Sequence, residues 1–187
     1  MIKNTSNSYG VVTRSLHWFM GLTIIGIIIA GFIMTSLDPS DQKWFIYAQH
    51  KALGIIILAL IPLRILWRLI NPQPKLPKTT PRWQVKAANL NILFLYFCML
   101  VMPFSGYLMS AFGGHPISLF NLVTIPPFEK HQIAGIMHET HMILAWGIAA
   151  SVTLHILGAL HHHFILKDNV LKRMISSKNS LHNAEGS

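Results

Sequence analysis

Four stretches of the chain are rich in large apolar side chains and poor in charge: roughly Leu16–Leu37, Ala52–Ile70, Leu90–Phe112 and Met142–Leu160. Each is near or above the ~20 residues a helix needs to cross a bilayer core about 30 Å thick. Polar or turn-forming segments separate them. Asp38–Gln49, opening with Asp38-Pro39-Ser40, reads as the turn between the first two helices. Asn71–Pro81, with its prolines and lysines, reads as an extended linker. Gly113–Lys130, containing Pro126-Pro127, is the longest connection on the other side. Pro62 is expected to kink helix two. The pattern predicts an all-α integral membrane four-helix bundle: one transmembrane domain over residues 1–175, then a polar, mobile C-terminal tail over 176–187. Nothing repeats with a period of 20–50 residues.

Composition supports the membrane assignment. The 187 residues are 52% hydrophobic and 11% charged, where a soluble domain carries about 25% charged residues. The first apolar run is too long for the core of a cleaved signal and opens on His17-Trp18, so it reads as a retained helix. The lone cysteine, Cys98, excludes a disulfide framework or a Cys-rich metal site and reads as core or lipid-facing filler. The net charge of +9 would suggest nucleic acid only in a soluble chain. Here the cations sort by side. With the N-terminus cytoplasmic, the inner side receives Lys3, Arg14, Arg64, Arg68, Lys75, Lys78, Arg82, Lys86, Lys167, Lys172, Arg173 and Lys178, against Lys43, Lys51 and Lys130 outside. Twelve against three places both termini in the cytoplasm by the positive-inside rule and brings anionic lipid, not nucleic acid, to the basic face.

Ionisable residues inside apolar runs carry function by default, and the histidines are distributed unevenly. His141 and His155 are fourteen residues apart, which at ~100° and 1.5 Å per residue puts them within about 40° of one helix face and ~21 Å apart in height. His162 continues the series seven residues on. Antiparallel helices then match His17 with His155 at inner depth and His50 with His141 at outer depth. Two pairs on facing helices are the arrangement that bis-histidine haem ligation needs, one axial nitrogen on each face of the macrocycle. His138 competes for the outer position but stands about 100° round from His155, so His141 is preferred and His138 is read as a group beside the ligand or on the surface. Gly21, Gly26, Gly31, Gly54, Gly106, Gly147 and Gly158 would leave room for a macrocycle or for close helix packing. Two other readings compete. The histidines can be interfacial groups satisfied by water or backbone. Alternatively, the chain can be a His-rich metal-binding or transport protein, with His161-His162-His163 as the best cluster.

The motifs that carry these histidines resemble the bacterial cytochrome b561 family. They are Arg14-Ser15-Leu16-His17-Trp18, His50-Lys51-Ala52-Leu53-Gly54, Arg64 to Arg68, Pro103-Phe104-Ser105-Gly106-Tyr107-Leu108-Met109-Ser110, and His141…His155…His162-His163-Phe164…Lys167-Asp168. They span nearly the whole chain in the family's order. The resemblance implies an inner-membrane protein with two haem b groups, held by His17 with His155 and by His50 with His141. Length and the inner His-His motif are similar to the superoxide oxidase branch. That implies superoxide as periplasmic donor, ubiquinone as acceptor and His162 at the quinone. It also makes Arg14, Arg64 and Arg68 partners for haem propionates, and Lys51 and Lys130 attractants for superoxide. A cytochrome b subunit serving a different donor, a dehydrogenase or a hydrogenase is the neighbouring reading. Two departures stand out. Many relatives carry a histidine near the start of helix three, where this chain has Asn89 and Asn91, and His161 adds a third histidine to the inner pair.

Overall fold

The computed structural model describes residues 1–176. Four long helices carry the chain: α1 (Val11–Ser36), α2 (Asp41–Leu69), α3 (Arg82–Phe112) and α4 (Ile133–Phe164). A two-stranded hairpin, β1 (Ile117–Leu119) and β2 (Val123–Ile125), lies between α3 and α4, and a short α5 (Val170–Ile175) follows α4. All four long helices have the length and hydropathy of membrane spans. Their apolar side chains are largely unburied by protein, for example Leu63, Leu93 and Ile143. Such surface is stable only against lipid, so the predicted membrane helical bundle stands.

The helices run well past the apolar windows. α2 begins at Asp41, eleven residues before the predicted start, because Ser40 caps it: Lys43 N–H donates to Ser40 Oγ at 3.3 Å. The connection is therefore only the four residues 37–40, and His50 lies nearly three turns inside α2 instead of at its start. His141 likewise stands two turns into α4. Pro62 is accommodated within α2 and Pro103 within α3. The hairpin and α5 were not anticipated. Of the predicted tail, only Ser176 falls among the described residues, as extended backbone.

The packing divides the chain into two compact units, each containing a part of every long helix. Among the described residues, the terminal unit comprises Met1–Phe19, Pro62–Leu95 and residues 150–176. Its core includes Asn4, whose side chain accepts from Gly10 N–H at 2.9 Å and Thr13 Oγ1 at 2.6 Å and donates to the Pro72 carbonyl at 2.9 Å. Asn91 and Ser151 clamp α3 to α4 by a 2.6 Å bond from Ser151 Oγ to Asn91 Oδ1 and a 3.2 Å bond from Asn91 Nδ2 to the Ser151 carbonyl. Asn91, in the region where many relatives carry a histidine, thus serves helix packing. The hairpin unit comprises Met20–Ile61 and Tyr96–Ala149. Its core is Met20, Ile57, Ile61, Cys98, Met102, Ser105 and Ile148, so Cys98 is core filler.

Candidate functional site

In the hairpin unit, His50 of α2 and His141 of α4 face each other with ring centroids 6.1 Å apart. Each is oriented by a helical carbonyl on a different neighbour. His50 Nδ1–H donates to the Ile27 carbonyl of α1 at 3.1 Å. His141 Nδ1–H donates to the Met102 carbonyl of α3 at 2.9 Å. Ser105 Oγ bonds the same carbonyl at 2.8 Å and lies 3.4 Å from His141 Nδ1. The carbonyl acceptor fixes Nδ1 as the protonated nitrogen and leaves Nε2 with its lone pair.

The two seats share a construction. The residue four positions beyond each accepting carbonyl, on the same helix face, is a glycine: Gly31 after Ile27 and Gly106 after Met102. A Cβ on Gly31 would stand 3.3 Å from His50 Cε1, and one on Gly106 would stand 2.9 Å from His141 Cε1. These two glycines make room for imidazoles. Gly21, Gly26, Gly54 and Gly158 instead have nothing within 4 Å of where a Cβ would be. Gly54 lines an apolar cleft together with both histidines, Ile24, Ile28, Met99 and Pro103.

In the terminal unit, His17 of α1 and His155 of α4 have ring centroids 6.0 Å apart. Arg64 Nη2 donates to His17 Nδ1 at 3.1 Å, because a guanidinium has no acceptor. Arg68 Nη1 bonds Gln73 Oε1 at 3.1 Å and Arg14 Nη1 bonds the Ile175 carbonyl at 3.2 Å. Arg14 Nε is buried without a hydrogen-bond partner. Trp18 Nε1–H donates to the Met174 carbonyl at 3.0 Å, so α5 is tied to the same turns of α1 that carry His17.

Both separations fit an axial pair. Two metal–imidazole bonds of roughly 2 Å plus two ring half-widths of about 1.1 Å sum to about 6.2 Å for nitrogens in line across one metal. The hairpin-unit pair meets the chemical condition as it stands, with both Nε2 lone pairs available and an apolar cleft beside them. The terminal-unit pair meets it once Arg64 leaves His17 Nδ1, which must carry the proton when Nε2 binds a metal.

His162 belongs to neither pair. Its Nδ1–H donates to Asp168 Oδ2 at 2.5 Å, with both side chains largely buried. Lys167, at φ 54°, turns the chain so that Asp168 N–H also returns to the His162 carbonyl at 3.1 Å, while Asp168 Oδ1 accepts Val170 N–H at 2.9 Å as α5 begins. His161 and His162 rings are perpendicular at 6.2 Å, and among the described residues no group of three or more His, Cys, Asp or Glu is arranged to hold a metal ion. The His161–His163 cluster therefore does not form a metal site there. His138 is exposed, with Nδ1 3.3 Å from Met109 Sδ.

Four apolar spans with two facing imidazole pairs, one beside an apolar cleft, define a membrane protein suited to holding haem between helices. The sequence matches the prokaryotic cytochrome b561 family over residues 8–177. It is 35% identical to cytochrome b561 homolog 2 of Escherichia coli (strain K12) over 182 residues, 95% of this chain and 96% of that protein. Cytochrome b561 homolog 1 of the same organism is 29% identical, over 90% of this chain and 97% of its own length. A protein of Yersinia pestis named probable superoxide oxidase CybB is 30% identical, over 91% and 97%. The chain belongs to the prokaryotic cytochrome b561 family: it is a bacterial membrane electron-transfer protein that binds haem b.

Proposed function

We propose that the chain is a di-haem superoxide:ubiquinone oxidoreductase of the bacterial inner membrane, with both termini cytoplasmic. The observation that carries the two-haem reading is the pair of histidine couples, at 6.0 and 6.1 Å, in different units of the fold. His17 and His155 hold one haem, and His50 and His141 the other. When bound, haem supplies reversible one-electron chemistry, and two histidine ligands leave the iron no open position for oxygen. Superoxide as donor rests on the motif resemblance and on the name of the Yersinia relative.

The balance is two superoxide ions, one ubiquinone and two protons giving two dioxygen molecules and one ubiquinol. The chain's own groups handle charge and protons. With His17 in its metal-binding tautomer, Arg64 would be available to pair with a haem carboxylate, and Arg14 and Arg68 would add positive charge on the same unit. His162 exchanges a proton with the quinone through Nε2, because Asp168 holds the other nitrogen protonated.

Superoxide-dependent haem reduction, followed by ubiquinol formation, is expected in one purified preparation. Ready reduction by another donor with no response to superoxide would leave only the electron-carrier reading. Asp168→Asn is expected to slow ubiquinol formation about 10- to 100-fold while haem content and superoxide-driven haem reduction stay at the parent level. His162→Ala should lose at least as much, and the double variant no more than His162→Ala alone. Additive losses would separate the two residues.

A further inference from the structure

The segment Ile117–Phe128 contains no Asp, Glu, Lys, Arg or His, a composition unusual for a connection in water. It is not a slack loop. Both ends are pinned to the last turns of α3: His115 N–H to the Ser110 carbonyl at 3.0 Å, Ser110 Oγ to the His115 carbonyl at 3.1 Å and Phe128 N–H to the Ala111 carbonyl at 2.9 Å. Ile117 is buried at the base. The strands pair antiparallel, with Ile117 opposite Ile125 and Leu119 opposite Val123. This rigid ribbon presents its apolar side chains outward: Phe120 is 43%, Leu122 86% and Val123 58% exposed.

The turn is built for that display. Phe120 and Asn121 both have positive φ, 52° and 62°, with Leu122 N–H bonded to the Leu119 carbonyl at 3.0 Å. Such turns normally take Asn or Gly at both positions, and a bulky aromatic there is strained. The polar residue of the tip is partly paired within the turn: Ser118 Oγ donates to Asn121 Oδ1 at 3.3 Å and accepts Asn121 N–H at 3.1 Å. A tip whose Asn121 Oδ1 and N–H are paired within the turn while its apolar groups are displayed suits the partly hydrated boundary of a bilayer.

We propose that the β1–β2 hairpin is a lipid-interface anchor, with Phe120, Leu122 and Val123 inserted at the headgroup–acyl boundary of the leaflet where α3 ends. The occupant follows from continuity with the spanning surface. Phe128, which closes the hairpin, packs on Phe112 in the last turn of α3 at 5.0 Å between ring centroids. Trp44 and Phe45, in the first turn of α2 within the same unit, are also exposed and match the aromatic belt of a membrane boundary. Depth is limited. A two-stranded ribbon has unpaired edges, which hydrocarbon does not tolerate, so the anchor stays in the interface. The hairpin thereby fixes the connection that borders the α3–α4 end of the His50–His141 unit.

The test uses full-length haem-loaded protein in vesicles of phosphatidylethanolamine and phosphatidylglycerol, spin-labelled at Leu122→Cys, Val123→Cys or Glu129→Cys. Buried Cys98 serves as the blank. Power saturation compares dissolved oxygen, which concentrates in lipid, with a water-soluble nickel chelate. The oxygen-to-nickel accessibility ratio is expected to rise several-fold from Glu129→Cys to both tip positions. Equal ratios at all three would place the tip in water and overturn the proposal. Protection of the tip from both reagents would overturn it too, by showing a protein, a second copy included, in place of lipid. Two tip variants keep the test open if one fails to fold.

Discussion

On the proposed two-haem reading, replacing His141 with alanine is expected to remove one haem and leave the other, so that the haem-to-protein ratio by pyridine haemochrome falls from two to one. The expectation follows from how the pairs are held. His141 depends on the Met102 carbonyl, Ser105 and a gap at Gly106, and it faces His50. The pair His17 and His155 uses none of these groups, and its hydrogen-bonding neighbour at His17 is Arg64. Removing an axial ligand forfeits the metal bond and leaves the Met102 carbonyl without one of its donors, and the loss falls on that pair alone. His138→Ala is expected to keep both haems, since His138 is exposed and reaches only Met109 Sδ. A chain that keeps both haems without His141, or loses one without His138, reverses the ligand choice. Loss of both haems on His141→Ala would mean that the two sites form as one cooperative unit.

The spans and the pairing of histidines were legible in the sequence because both depend on properties of single residues: apolar run length, and ionisable side chains within those runs. A helical repeat then assigns relative depth. The helix ends were less legible. At Ser40 the same residues signal a turn and a helix cap, and only the bond from Lys43 N–H decides that α2 starts there. The hairpin was hidden by its composition, since uncharged apolar residues without helical spacing follow directly on a membrane span. Partners from distant parts of the chain were invisible in principle. Nothing near His17 points to Arg64, forty-seven positions away. Asp168 was visible as part of a motif, but its grip on His162 depends on the left-handed backbone at Lys167, a conformation favoured by glycine and asparagine and not signalled by lysine.

The glycines show the same limit and give the sharpest structural prediction. From sequence, Gly31 and Gly106 were interchangeable with five other helical glycines. In the fold they are the residues whose missing side chains let an imidazole reach a carbonyl already used by the helix. Gly106→Ala would put Cβ 2.9 Å from His141 Cε1 and 3.1 Å from Nδ1, closer than carbon atoms approach without displacement. The ring must move, and the 2.9 Å bond to Met102 goes with it. Outer groups that orient a metal ligand are worth 10- to 100-fold in affinity, so the variant is expected to release the His50–His141 haem about that much more readily. Gly31→Ala, at 3.3 Å from His50 Cε1, asks for a shift of a few tenths of an ångström and should lose less. Gly135→Ala, with nothing within 4 Å, controls for helix propensity, where alanine is favoured by about 1 kcal/mol. All three variants should fold and keep the His17–His155 haem. The order of haem loss, read by transfer to apomyoglobin, should be Gly106→Ala, then Gly31→Ala, then Gly135→Ala. Retention by Gly106→Ala equal to that of Gly135→Ala would show that the His141 ring does not need the Met102 seat.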